Sequence, residues 1–205
     1  MKYLELKNYL KDITLFSLKD VRKFEKTFDR RRLTEWQKKG YIKKIIKGYY
    51  LFSDIEMDQN VLFLIANKIY KPSYISFESA LSFYRLIPES IFAITSANSR
   101  NTYTFKTLYG EFIYKKIKPK LMFGYETLTN RNHLFNIAEV EKSILDYLYI
   151  KPHLKSEGDF EELRIDSEVF FESINKKKFY SYLERFKNIT LAKRAKRLVK
   201  YLENA

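Results

Sequence analysis

Residues 28–50 read FDRRRLTEWQKKGYIKKIIKGYY. Placed on a helix, Leu33 and Trp36 fall on one side, and Arg31, Thr34 and Lys38 project from the other. Arg30 and Arg32 flank that outward face. Gly40 follows Lys38 and Lys39, the pattern of a helix C-terminus: cations at the negative end of the dipole, then a residue free to turn left-handed. YIKKII and YYLF follow. They are rich in β-branched and aromatic residues and flank Lys47-Gly48, a tight-turn signal, so they predict a hairpin. Strict alternation fails at Lys43-Lys44 and Ile45-Ile46, which predicts a bulge or a strand that uses both of its faces.

Working upstream, Leu4, Leu6, Tyr9 and Leu10 give a short amphipathic first helix. Ser17-Leu-Lys-Asp20 has the spacing of a capping box and opens a second helix carrying Leu18, Val21 and Phe24. Thr27 or Asp29 caps the third. Three helices followed by a basic hairpin is the order of a winged helix-turn-helix, whose second motif helix lies in the DNA major groove. On that reading Arg31 is placed for a bidentate guanine contact, with Arg30 or Arg32 on phosphate. Lys43, Lys44 and Lys47 on the wing grip the backbone. The alternative for such a charge run is a solvated face without a ligand.

Charge distribution points the same way. The net charge is +14, with residues 1–54 at +8, residues 55–172 at −2 and residues 173–205 at +8. Two basic ends around a near-neutral middle suggest a polyanionic partner. The last helix carries Lys193, Lys196, Arg197 and Lys200 at i, i+3, i+4 and i+7 opposite Leu191, Ala195, Leu198 and Leu202. That stripe predicts a second, weaker basic contact surface.

Beyond residue 52 the polar segment SDIEMDQN (53–60) marks a boundary, dividing 1–54 from 55–205. The second part reads as α+β. Helices are expected over 59–70, over 76–85 with Ser76 as cap and Pro88 as stop, and over 138–150. Strands are expected at IFAITSA, TYTFKTL and EFIYKKI, then an acidic loop KSEGDFEELRID. Two closing helices begin at Asn caps. His133 precedes a strand-like segment.

Several function classes find no support. The chain has no cysteine and two histidines, His133 and His153, without metal-ligand spacing. Its five glycines are not clustered, so there is no phosphate loop or dinucleotide fingerprint, and there is no nucleophile elbow. The acid-x-Lys triplet Glu5-Leu6-Lys7 lies in the first helix, a poor place for a nuclease centre. The longest apolar run, VLFLIA, has six residues, against about 20 for a membrane helix. The opening MKYLELKNYLKD lacks the apolar core of a signal peptide. A cytoplasmic, non-enzymatic protein without cofactor, metal or membrane association is expected.

Three segments resemble one family. WQKKGYIKKIIKGYYLF (36–52), IANKIYKPSYISFESALSFYRLIPESIFAITSA (65–97) and FNIAEVEKSILDYLYI (135–150) look like the AbiEi-type antitoxins of type IV (abortive infection) toxin–antitoxin pairs. The likeness runs from about residue 10 to the C-terminus. It implies an N-terminal winged helix that represses its own promoter at inverted repeats in double-stranded DNA. It also implies an α+β C-terminal antitoxin domain, ending in helices, that counteracts a nucleotidyltransferase-like toxin with or without direct binding. Carried over, the DNA-facing positions are Arg30, Arg31, Arg32, Lys38, Lys39, Lys43, Lys44 and Lys47. Ser73, Tyr74, Ile75, Ser76 and Glu78 match the PSYIS and ESAL strings. From the residues alone Ser76 reads as a helix cap, and Tyr74, Ile75, Leu81 and Phe83 as core. Glu141 reads as a dipole partner, and Asp146 as one half of an ion pair with a neighbouring Arg or Lys. Val140 and Ser143 depart from the Pro and Ala of the family pattern, and no nuclease-like extension is appended. The alternative is a winged-helix regulator with a ligand- or protein-binding second domain and no toxin.

Overall fold

Ser17 and Asp20 set the entrance to the first body, as their spacing predicts: the Asp20 carboxylate accepts the Ser17 N–H at 2.9 Å. In this computed structural model, which describes residues 1–88, 93–130 and 133–204, the chain opens with α1 (Tyr3–Tyr9), β1 (Phe16–Ser17), α2 (Leu18–Arg22) and α3 (Arg31–Lys38). The hairpin β2 (Ile42–Ile46) and β3 (Tyr49–Phe52) follows, with Gly48 at φ 90° in its turn. The three strands pair antiparallel in the order β1-β3-β2. β1, two residues long, carries no sequence signal of its own.

The ends of α3 follow from its sequence. Asp29, rather than Thr27, supplies the starting bond, its carboxylate accepting the Arg31 N–H at 2.9 Å. At the other end Gly40 has φ 72°. The Tyr41 N–H returns to the Trp36 carbonyl and the Gly40 N–H to that of Gln37, which together form a Schellman motif.

The irregularity expected in β2 is present in both forms. The pairing shifts between Lys44 and Ile46, leaving Ile45 as an extra residue. The sheet is also buried on two sides. Ile42, Tyr50 and Phe52 join Leu6, Leu10, Phe16, Val21, Phe28, Leu33 and Trp36 in one apolar cluster. Leu15, Ile45 and Leu51 join the larger cluster formed by the rest of the chain. The first helix is narrower than expected. Leu6 and Leu10 are buried, but Leu4 is 68% and Tyr9 57% exposed, because two helical turns present a single stripe. Tyr9 stacks on Phe24 at the surface, ring centroids 4.7 Å apart.

The second body continues with α4 (Gln59–Ile69), β4 (Ser73–Ile75), α5 (Glu78–Phe83), β5 (Ala93–Asn98), β6 (Tyr103–Thr107) and β7 (Gly110–Lys116). It then runs through β8 (Tyr125–Asn130), β9 (His133–Ala138), α6 (Val140–Ile150), α7 (Glu157–Glu161), α8 (Ser167–Ser173), α9 (Lys176–Arg185) and α10 (Ile189–Glu203). Six strands form one mixed sheet, order β6-β7-β5-β4-β9-β8, with β5–β7 and β4–β9 parallel. The molecule is thus mixed α+β. β4 and β8 exceed the expected strands, α7 stands inside the expected acidic loop, and α8 follows it in a stretch to which no element was assigned. The Ile91-Phe92 start of the expected IFAITSA strand lies outside the described residues.

α6 is the hub. Glu141 through Leu148 are all buried, and α5, α9, α10 and β9 pack around it. Both predicted Asn caps hold: Asn175 accepts the Lys178 N–H and Asn188 the Leu191 N–H, each at 3.0 Å. Arg194 occupies the buried stripe of α10 and donates to the Leu148 and Lys151 carbonyls at 2.8 and 2.9 Å, satisfying acceptors that the end of α6 leaves open. Among the described residues no helix is long and apolar enough to cross a membrane.

Candidate nucleic-acid interface

Leu33, 1% exposed, and Trp36, 7%, seat α3 against the first core. Tyr3 and Phe28 pack edge-on and tilted against the Trp36 ring. Burial of these two side chains, worth roughly 1.5–3 kcal/mol each, fixes the rotation of the helix. Arg31, Thr34, Glu35 and Lys38 are consequently exposed, with Arg30 and Lys39 exposed at the two ends. The first turn of α3 holds no acidic residue and instead begins with Arg30, Arg31 and Arg32. Cations there oppose the helix dipole by about 0.3–1 kcal/mol. The Asp29 carboxylate, which accepts the Arg31 N–H, offsets part of this.

Two of the expected contacts are placed differently. Arg32 is only partly exposed: it donates to the Met1 carbonyl at 2.8 Å and lies 4.0 Å from Glu25, whose carboxylate also holds the chain's N-terminal ammonium at 2.7 Å. It ties the N-terminus to α3 instead of facing outward. On the hairpin, Lys43, Lys44 and Lys47 are all exposed, but neighbours on a strand point to opposite faces. Lys43 lies over the Tyr109 ring, 6.0 Å from its centroid, and so turns toward the second body. Lys44 and Lys47 remain exposed on the hairpin without such a contact toward the second body. If the hairpin holds duplex phosphates, replacing both by Ser flattens the slope of log K against log salt by about 1.8, for two lost contacts; a salt titration with duplex DNA measures it.

In α10 the side chains of Lys193, Lys196, Arg197 and Lys200 are exposed while Leu191, Ala195, Leu198 and Leu202 are buried. The stripe has the predicted geometry. It belongs to the larger core, packed on α6, α7 and α9, whereas α3 packs on β2.

The two strings of the second body meet in one network: Asp146 pairs with Lys142, the ion pair expected of it, while its Tyr74 and Ser76 partners were not foreseen. The Asp146 carboxylate accepts from the Tyr74 hydroxyl at 2.8 Å and the Ser76 hydroxyl at 3.0 Å. Lys142 donates to the same carboxylate and, at 2.7 Å, to the Tyr74 oxygen. Its ammonium also lies 5.1–5.3 Å from the ring centroids of Phe123, Tyr74 and Phe186. Ser76 is therefore not the cap of α5, which starts at Glu78 behind Phe77 at φ 58°. Burial pushes the Asp146 carboxyl up and the Lys142 ammonium down, each opposed by the other's charge. Glu141 sits in the first turn of α6 as expected and accepts the Asn175 N–H at 2.9 Å, fixing the start of α9. Among the described residues no group of three His, Cys, Asp or Glu side chains is arranged to hold a metal.

No family model matches the chain, and no curated protein matches it. Its fold is similar to that of the RV2827C protein from Mycobacterium tuberculosis, a crystal structure matched with a TM-score of 0.62 at 11% identity, over 97% of this chain and 75% of that one. A likeness at that identity speaks to the fold, mixed α+β across both bodies.

Proposed function

We propose that residues 1–54 form a winged helix that binds double-stranded DNA at the chain's own promoter, with α3 in the major groove and β2–β3 as the wing. The observation that carries this reading is the face of α3. Arg31, Thr34 and Lys38 are held outward by the burial of Leu33 and Trp36, directly ahead of a hairpin exposing Lys44 and Lys47. Arg31 reads a base edge, while Arg30, Lys39 and the wing lysines hold phosphates. Gel shift or anisotropy with the upstream region tests it.

On this reading residues 55–205 are the non-enzymatic antitoxin domain of a cytoplasmic type IV pair, counteracting a nucleotidyltransferase-like toxin with or without direct binding. Support comes from the resemblance, and from how its strings come together: PSYIS and EKSILD, about 70 residues apart in sequence, share one buried network. Co-expressing the full chain with the neighbouring reading frame is expected to restore growth that the frame alone suppresses; persistent arrest would remove the antitoxin half of the proposal.

The α10 stripe fits a second, weaker DNA contact. Replacing Lys193, Lys196, Arg197 and Lys200 by Ser is expected to lower promoter affinity and to flatten the salt slope by about 1–3, one to three phosphate contacts. Unchanged affinity and slope would assign the stripe to solvent.

A further inference from the structure

Among the described residues the two sheets have four outer strands, β1, β2, β6 and β8. An open edge offers unpaired N–H and C=O groups to any second strand, and proteins blunt such edges by brevity, bulges, proline or lysine. Three of the four are blunted in these ways. β1 has two residues. β2 carries Lys43 and Lys44 and is bulged at Ile45. β6 carries Lys106. β8 has none of these devices. It reads YETLTN, without lysine or proline, and it pairs with β9 residue for residue, from Tyr125 opposite Ala138 to Asn130 opposite His133. Its single charge is Glu126. Tyr125, Glu126, Thr127 and Thr129 are exposed, while Leu128 turns inward onto the larger core. Leu134 of β9, opposite Thr129 and so on the outward face, is 58% exposed.

We propose that β8 is the docking edge for a second copy of this chain, the two β8 strands pairing antiparallel about a two-fold axis to join the six-stranded sheets into one. The strand's own chemistry suits a copy of itself. A two-fold axis perpendicular to the sheet keeps every residue on its own face, so paired positions differ by an even number. The two registers with the longest overlap are centred on Thr127 and on Leu128. In neither does Glu126 meet a second Glu126, the like-charge pair that would oppose association. The first puts Thr127 opposite Thr127 and the second puts Thr127 opposite Thr129, both favourable cross-strand pairs. Charge also selects the place. The chain as a whole carries +14, but residues 55–172 sum to −2, so copies that meet at β8 meet on the near-neutral part of the sequence. The inference rests on neither the DNA-binding nor the antitoxin reading.

The test is sedimentation velocity of the full chain at concentrations up to about 200 µM, where a dimer with Kd below about 100 µM is expected, in the range of small interfaces. Thr127→Lys sets like charges across the axis and is expected to weaken the dimer about tenfold or more, as is Thr127→Glu. Thr127 is exposed, so the thermal midpoint of either variant should move little, which separates lost pairing from a folding defect. An equimolar mixture of the two variants sets Lys against Glu and is expected to associate about tenfold more tightly than either alone. The chain has no cysteine, so Thr127→Cys is expected to cross-link to its own copy with a short bismaleimide, while Thr104→Cys, exposed on the β6 edge, is expected to stay uncoupled. Four results would overturn the proposal: a monomer at every concentration, a dimer unaltered by Thr127→Lys, a mixture no tighter than its components, or Thr104→Cys coupling as readily as Thr127→Cys.

Discussion

Replacing Arg31 and Lys38 together by Ala is expected to weaken binding of the full chain to its upstream duplex by about 2–4 kcal/mol, roughly 30- to 1000-fold. The two positions contribute differently. A guanidinium on a base edge discriminates sequence, so Arg31→Ala alone should relax the preference at one base pair and cost about 1–3 kcal/mol. Lys38 lies two turns further along the same exposed face, and its loss should weaken all duplexes alike. Neither change touches the buried pair Leu33 and Trp36, so the thermal midpoint should move little. Arg32→Ala is the internal contrast. Its guanidinium holds the Met1 carbonyl, so it should loosen the chain terminus without altering sequence preference. Competition binding with single-base variants of the duplex separates these outcomes.

The second large effect lies in the other body. Asp146→Ala is expected to destabilise the protein by about 3–5 kcal/mol, because it leaves a buried ammonium without its carboxylate. For a chain of this size that lowers the thermal midpoint by about 10 °C. Lys142 and Asp146 are both 0% exposed, so water cannot replace the missing partner, and the hydroxyls of Tyr74 and Ser76 lose an acceptor as well. The double change Lys142→Met/Asp146→Leu removes both charges and should recover a substantial part of the loss, as buried pairs replaced by apolar residues commonly do. Thermal unfolding of the three proteins checks this. A single Asp146→Ala no less stable than the parent would mean that the network does not support the fold. In cells, a loss of this size would appear as reduced abundance, and on the proposed antitoxin reading protection should fall with it.

What the sequence disclosed depends on how far apart the cooperating residues lie. The ends of α3, the Gly40 cap, the Gly48 turn, the Ile45 bulge and the Ser17–Asp20 box each depend on neighbours within a few positions, and all were readable. Ser76 was misread because a serine ahead of a helix is a cap by every local rule, and the acceptor that claims it lies 70 residues away on α6. Arg32 was misread for the same reason: its partner is the chain terminus, 31 residues off. Alternation does put Lys43 and Lys44 on opposite faces, and that signal was available but not applied. So was the position of Arg194, three after Leu191 and four before Leu198, which assigns it to the buried stripe of α10. β4 is three residues long and fully buried, with no room for a period to develop.

The central claim, that the first body binds duplex DNA through α3 and the wing, is tested most directly by titrating the full chain with its upstream duplex across salt concentrations. The expected result is specific binding, with log K falling against log salt at a slope near −4, about four to five phosphate contacts from Arg30, Lys39, Lys44, Lys47 and their neighbours. That slope should shrink toward −2 when Lys44 and Lys47 are replaced by Ser. No binding at low salt, or binding with a slope near zero, would contradict it.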